Sequence, residues 1–316
     1  MEFGYKISSE EHNSRDLVRY ARLAEKAGFS FGMISDHYHP WTDKQGESPF
    51  VWGVLGAIAQ ATDHLKVGTG VTCPTIRIHP AIVAQAAATA AELMPGRFFL
   101  GIGSGEHLNE HVLGDKWPEA PVRIEMMEEA VEVIRLLWEG GLQSHRGKHY
   151  TVENARIYSL PDELPPIYIA AGGKRSAEVA ARVGDGLVST SPDDSTIKAF
   201  EAAGGTGPRY AEVQVCWAED AETAKKIAHE WWPNTAMGGQ LSQELSLPSL
   251  FEAVAENVSP DDVAESVALG PDPDEHLRSI GEYVDAGYDH VYVHQIGPDQ
   301  EGFFEFYRDE VLPKLL

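Results

Sequence analysis

The sequence predicts an α/β fold, a (β/α)8 barrel, on three observations. Short apolar, β-branched runs recur about eight times, helical patterns separate them, and polar, aromatic or glycine-rich motifs follow directly on several of the runs. Eight parallel strands are the number that closes a barrel with helices outside, and chemistry in such barrels is done at the carboxyl ends of the strands.

The candidate strands are 3–7, 31–35, 66–71, 98–103, 166–171, 186–191, 212–217 and 290–295. A helix opens at Ser14-Arg15-Asp16, runs to about Lys26 and is ended by Gly28. The Ala-rich stretch 80–93 is helix-forming, with Pro80 suited to its first turn. Segment 123–139 carries Met127, Val131, Ile134 and Leu137 at helical spacing. Further helices are expected at 176–183, 220–231, 273–286 and 303–315. The stretch 232–269, with Gly238, Gly239, Pro248 and Pro260, breaks the strand–helix rhythm and reads as a helical insertion before the eighth strand, over the barrel mouth. No low-complexity tract, repeat or linker divides the chain, so one domain spanning 1–316 is expected.

Composition narrows the function. The net charge is −24, with 11 lysines against 49 acidic residues, a field that repels nucleic acid and anionic membranes. There is no apolar run of membrane-spanning length and no signal-peptide pattern at Met1–Lys6, so a cytoplasmic protein is the simplest expectation. Cys73 and Cys216 lack CxxC partners, and the scattered histidines lack metal-ligand spacing, so neither a disulfide framework nor a metal site is expected. A small-molecule partner is left as the expectation.

Ser35-Asp36-His37-Tyr38-His39-Pro40-Trp41 places an acid, two imidazoles and an indole at the end of the second strand. Histidine titrates near neutrality and can take a proton from a hydroxyl, and a neighbouring carboxylate can orient it. A structural His–Asp pair in a turn is the alternative. Gly103-Ser104-Gly105-Glu106 follows the fourth strand, where glycines admit a ligand close to the backbone and Glu106 stands at the mouth. Gly70 to Cys73, after the third strand, makes poor barrel filling but suits a flat ligand, with Cys73 as a small packing group rather than a nucleophile. Gly172-Gly173-Lys174-Arg175 precedes a helix start, an anion cradle with two added positive charges. Trp232 is a further pocket candidate.

Taken together with Gly4-Tyr5-Lys6, Glu10, 74–77, 79–85 and 168–173, these motifs resemble the luciferase-like oxidoreductases over nearly the whole chain, in the branch that uses the deazaflavin coenzyme F420. That branch includes F420-dependent glucose-6-phosphate and secondary alcohol dehydrogenases. The resemblance implies a barrel with the deazaflavin at its carboxyl end, contacted by Asp36, Gly70, Val71, Ser104, Gly105, Asn109, Gly172 and Gly173; Cys73 and Arg175, on the same loops, are further cofactor-binding candidates. It implies a cis bond at Gly70-Val71 and a homodimer. It also makes His37 the base for the substrate hydroxyl, with hydride passing from the carbinol carbon to C5 of the deazaflavin. Glu106 is then the group near N1 of the ring, Trp41 the wall against substrate and imidazole, and Glu10 part of the pocket.

The departures from that family bear on the substrate. Where the glucose-6-phosphate enzymes place two lysines and an arginine around the phosphate, alignment puts Asp193, Ser242 and Ser266, while Thr190 is retained. An aspartate repels a dianion and cannot replace charge-assisted bonds. A neutral sugar or simple secondary alcohol is therefore the expected substrate. Reduction by the reduced deazaflavin, an FMN monooxygenase of the same fold and a non-catalytic deazaflavin-binding protein are the alternatives. Because the cofactor is an anion in an acidic protein, Arg77, Lys174 and Arg175 are expected to form a local basic patch for its tail.

Overall fold

The computed structural model describes residues 1–315. Eight parallel strands close into a barrel: β1 (Glu2–Ile7), β2 (Phe31–Ile34), β3 (Lys66–Thr69), β4 (Phe98–Ile102), β5 (Ile167–Ala170), β6 (Gly186–Ser189), β7 (Arg209–Cys216) and β8 (His290–Gln295). Each pairs with the next, and β8 returns to β1 through Glu2↔His290 to Tyr5↔Val293. All eight expected strands are present, most of them shorter at the carboxyl end than expected.

Side chains alternate along a strand, so one row of each strand fills the barrel. Phe31, Met33, Phe99, Tyr168, Val188, Tyr210 and Tyr292 form that buried interior cluster. Glycine makes room for the rings: a Cβ on Gly68 would stand 2.1 Å from the ring of Phe99. Toward the carboxyl ends of the same rows the filling changes from aromatic to charged, with Lys6, Glu212 and His294.

Helices α1 (Ser14–Ala27), α2 (Val51–Ala61), α3 (Pro80–Leu93), α4 (Ala120–Trp138), α5 (Lys174–Val183), α6 (Asp194–Ala202), α7 (Ala221–Trp231), α8 (Pro273–Ala286) and α9 (Gln300–Phe306) surround the barrel. Local signals set their ends. Asn13 caps α1 by accepting from the backbone of Arg15 and Asp16, and Gly28 ends it at φ 103°. Pro80 stands in the first turn of α3. α9 continues through a π-helical turn at Tyr307–Val311, and Phe303, Phe304 and Tyr307 seal the outer face of β1 and α1.

The sequence reading omitted α2, α6 and an antiparallel hairpin, Gln143–Arg146 with Thr151–Ala155. α2 is apolar nearly throughout and carries Gly53 and Gly56, so it lacks a polar stripe to mark its period. The segment 232–267 is built of short helical turns, Pro233–Ala236, Leu241–Glu244, Pro248–Ala255 and Pro260–Ala264. It brings Phe251 against Leu108 and Met237, with Trp41 packed alongside at the carboxyl ends of the strands. No helix among the described residues is long and apolar enough to cross a membrane.

Candidate active site

The loop after β2 is held from three directions. Asp36 Oδ1 accepts from Arg77 Nη2 at 2.9 Å, and Oδ2 accepts from the Thr72 hydroxyl at 2.7 Å. Asn109 Oδ1 accepts from the backbone N–H groups of Tyr38 (2.8 Å) and His39 (3.1 Å), while its Nδ2 donates to Glu106 at 3.1 Å. The third hold is Ser48, whose hydroxyl donates to the His37 carbonyl at 2.8 Å. Asp36 and Asn109, expected at the cofactor, thus also fix the loop that carries His37.

His37 is presented between two carboxylates. Its Nδ1 lies 3.4 Å from Glu10 Oε1 and its Nε2 lies 3.7 Å from Glu106 Oε2. Neither contact closes into a good hydrogen bond, and the buried Nδ1 has no hydrogen-bond partner. The indole of Trp41 meets the imidazole edge to face at 5.1 Å. Glu10 is 1% exposed and accepts from Ser35 Oγ at 2.6 Å and Ser8 Oγ at 3.1 Å. Burial alone would raise its pKa, but His37, Lys6 and the Ser35 bond together hold it below the usual carboxylate range. Glu106 is more open, with 31% of its side chain exposed.

Deeper in the barrel lie charges that the sequence reading did not assign to the site. Lys6 Nζ donates to Glu212 Oε2 at 2.8 Å, and His294 Nε2 and Glu11 Oε2 are 2.8 Å apart. Burial opposes the charge on His294, but Glu11 and Glu212 win and raise its pKa to about 9. Glu212 moves the other way: burial opposes its charge, and Lys6 and His294 hold it far below the carboxylate range. The available signal was charge in the inward row of otherwise apolar strands, at Lys6, Glu212 and His294.

The glycine segments line the mouth. The Gly70-Val71 bond is cis, as expected. Gly105 has φ 82°, and a Cβ there would meet Cys73 Sγ at 2.5 Å, so this close approach belongs to glycine. Cys73 is buried, with its Sγ 2.9 Å from Thr75 Oγ1. Burial, helped by Glu110, pushes its thiol pKa up, which disfavours a nucleophile. Ser104 is half-buried between Gly103 and Gly105. Gly172 and Gly173 have open space where side chains would stand, and no side chain caps the start of α5. Lys174 and Arg175 are exposed there.

The expected basic patch is corrected at Arg77. Only 6% of its side chain is exposed, and it lies between Asp36 and Glu110, with its backbone N–H donating to Glu110 at 2.8 Å. Its charge is matched inside the protein, so the patch reduces to Lys174 and Arg175. Among the aligned substrate positions, Thr190 is exposed after β6. Asp193 caps α6, both oxygens taking bonds from Ser195. Trp232 is 3% exposed, its ring nearly perpendicular to that of His294 with centroids 4.4 Å apart, in a buried cluster with Cys216 and Ile296. Ser242 donates to the Gly239 carbonyl, and Ser266 is exposed.

Comparison with known proteins gives the family and the fold. The family model for luciferase-like monooxygenase matches residues 1–290. An F420-dependent glucose-6-phosphate dehydrogenase of Microbacterium testaceum is 37% identical, covering 100% of this chain and 97% of the relative. One from Amycolatopsis mediterranei is 36% identical, covering 100% and 98%. A solved F420-dependent secondary alcohol dehydrogenase, in complex with an F420-acetone adduct, superposes with a TM-score of 0.93 at 29% identity, covering 100% of this chain and 99% of that one. With the closed barrel, the cis bond after β3 and full-length likeness in both sequence and structure, this chain belongs to the luciferase-like family.

Proposed function

We propose that this chain is a coenzyme F420-dependent dehydrogenase acting on the hydroxyl-bearing carbon of a neutral sugar or simple secondary alcohol. The observation that carries this reading is His37, fixed at the barrel mouth between Glu10 and Glu106. Full-length relatives named as F420-dependent dehydrogenases support the cofactor.

The residues present fit a deazaflavin. The open Gly172-Gly173 turn and the uncapped start of α5 leave backbone N–H groups for a phosphate. The backbone at Gly70, Val71, Ser104 and Gly105 would border the ring, with Cys73, Asp36 and Asn109 behind it, and Lys174 and Arg175 would meet the acidic tail. When bound, the deazaflavin supplies the hydride acceptor, its C5 carbon.

The chain's own task is to position the alcohol and manage one proton. His37 Nε2, on the side of the ring toward Glu106, takes the hydroxyl proton. Glu10, held ionised, then faces an imidazolium rather than a neutral ring, which stabilises the protonated product of that step. Trp41 fixes the imidazole and walls the substrate side, with Phe251 packed behind it. Glu106 is the proton-handling group across the site. Asp193 carries negative charge where a sugar phosphate would need a cation, which favours an uncharged substrate.

The test is bleaching of the oxidised deazaflavin with isopropanol, glucose and glucose 6-phosphate, each in low and in molar salt. Bleaching with a neutral substrate and not with the phosphate is expected. Turnover of glucose 6-phosphate would overturn the neutral-substrate assignment. Tight cofactor binding with no bleaching by any of them would overturn the dehydrogenase reading in favour of reduction by the reduced cofactor. His37→Ala is expected to lower kcat by about 10²- to 10⁴-fold with cofactor affinity retained.

A further inference from the structure

Beneath His37 the barrel encloses a connected group of charges. Lys6 comes from β1, Glu212 from β7, His294 from β8 and Glu11 from the loop after β1, and each is 6% exposed or less. Contacts run from Lys6 to Glu212 (2.8 Å), from Glu212 to His294 Nδ1 (3.5 Å) and from His294 Nε2 to Glu11 (2.8 Å). Lys6 acts electrostatically on Glu10 as well, and Glu10 faces His37. Glu106 faces His37 from the mouth and is 31% exposed, so solvent screens its charge, and the other groups around the buried ones add none. Tyr292 and Tyr283 face Glu212 with their phenols held protonated, by burial first and by the carboxylate second. Burial keeps His12, beside Glu11, toward its neutral form. Trp232 packs against His294 with an uncharged ring.

The charges then count simply. Lys6 and His294 are two cations, while Glu10, Glu11 and Glu212 are three anions. One negative charge is left over in a buried site, where an unmatched charge is costly and acts over a longer distance than in water. The side chain that faces this excess through Glu10 is His37. We propose that Lys6, Glu11, Glu212 and His294 are positioning residues that act through Glu10 on the proton affinity of His37, so that the leftover charge is matched when His37 takes the substrate proton. This rests on the reading of His37 as the proton acceptor. The only bond change involved is transfer of the hydroxyl proton to the imidazole.

The experiment is a titration of His37 in the full chain without cofactor, followed by NMR with nitrogen-labelled histidine and assigned with His37→Gln. Glu212→Gln removes a negative charge and is expected to lower the titration midpoint by about one pH unit, while Lys6→Met removes a positive charge and is expected to raise it by about one. Glu212→Asp keeps the charge but shortens the arm, and leaves the midpoint in place. The double variant Lys6→Met/Glu212→Gln removes a neutral pair and returns the midpoint to that of the parent. Shifts of the same direction in the two single variants, or equal shifts for Gln and Asp at 212, overturn the inference. Should the single variants fail to fold, a midpoint in the double variant displaced from the parent overturns it instead. Profiles of kcat/KM against pH for the loaded enzyme separate the two layers. If the NMR midpoints move as stated and the profiles do not follow, His37 is not the base, while the charge coupling stands.

Discussion

His37 and its neighbours are arranged so that each carboxylate around the ring has a different environment. Glu10 is buried and anchored by two serine hydroxyls, whereas Glu106 is open to the mouth. Glu10→Gln keeps the shape and removes the charge. We expect kcat to fall by about 10²-fold with little change in cofactor affinity, measured by steady-state kinetics and fluorescence titration. At the proposed tail entrance, Lys174→Ala with Arg175→Ala is expected to weaken cofactor binding at low salt, and unchanged affinity there would remove these residues from the cofactor site. His294 gives a prediction for stability. Its folded-state pKa of about 9 lies above the ordinary 6.5, so its contribution is complete below pH 6.5 and is lost as pH rises through 9. The melting temperature is therefore expected to decline across that window, and less steeply in His294→Asn.

At the scale of the element, the β2 loop owes its shape to partners on other strands. Arg77, from the segment after β3, ties Asp36 after β2 to Glu110 after β4. Glu110 has a raised pKa because it is buried, with Arg77 opposing that rise. Removing one member of a buried ion group leaves the others uncompensated. Arg77→Met is expected to cost about 3 kcal/mol, read from the denaturant midpoint. The insertion is coupled to the same loop through Phe251, which is 0% exposed and meets Trp41 at 5.2 Å. Phe251→Ala opens a cavity behind Trp41, with a cost of about 3 kcal/mol locally. KM for the substrate is expected to rise while the affinity for cofactor holds, because the glycine turns stand on other loops.

For the whole molecule, the closed barrel and the net charge of −24 act together. Closure lets charged residues on β1, β7 and β8 meet and pair in the interior. A net charge of −24 makes the molecule repel itself on balance, an effect that salt screens. Melting temperature is expected to rise with sodium chloride between about 0.01 and 1 M. A flat response would mean that the excess negative charge is already compensated.

The sequence by itself determined those features whose physics is local. Gly28 and Pro80 marked helix ends, because caps act within one turn. Eight strands followed from apolar runs of the right length, and His37, Trp41 and Glu106 stood out as candidates because polar and aromatic groups clustered at strand ends are uncommon unless used. α2 was not legible, since an apolar helix with two glycines shows no periodic contrast. Nor was Arg77, which looked like a free cation until Asp36 and Glu110 came to it from loops on either side. The buried pairing of Lys6 with Glu212, 206 residues apart, was decided only by the tertiary structure. Whether an inward-facing charge is paired depends on which strands become neighbours when the barrel closes, and no rule that reaches only a few residues along the chain carries that information.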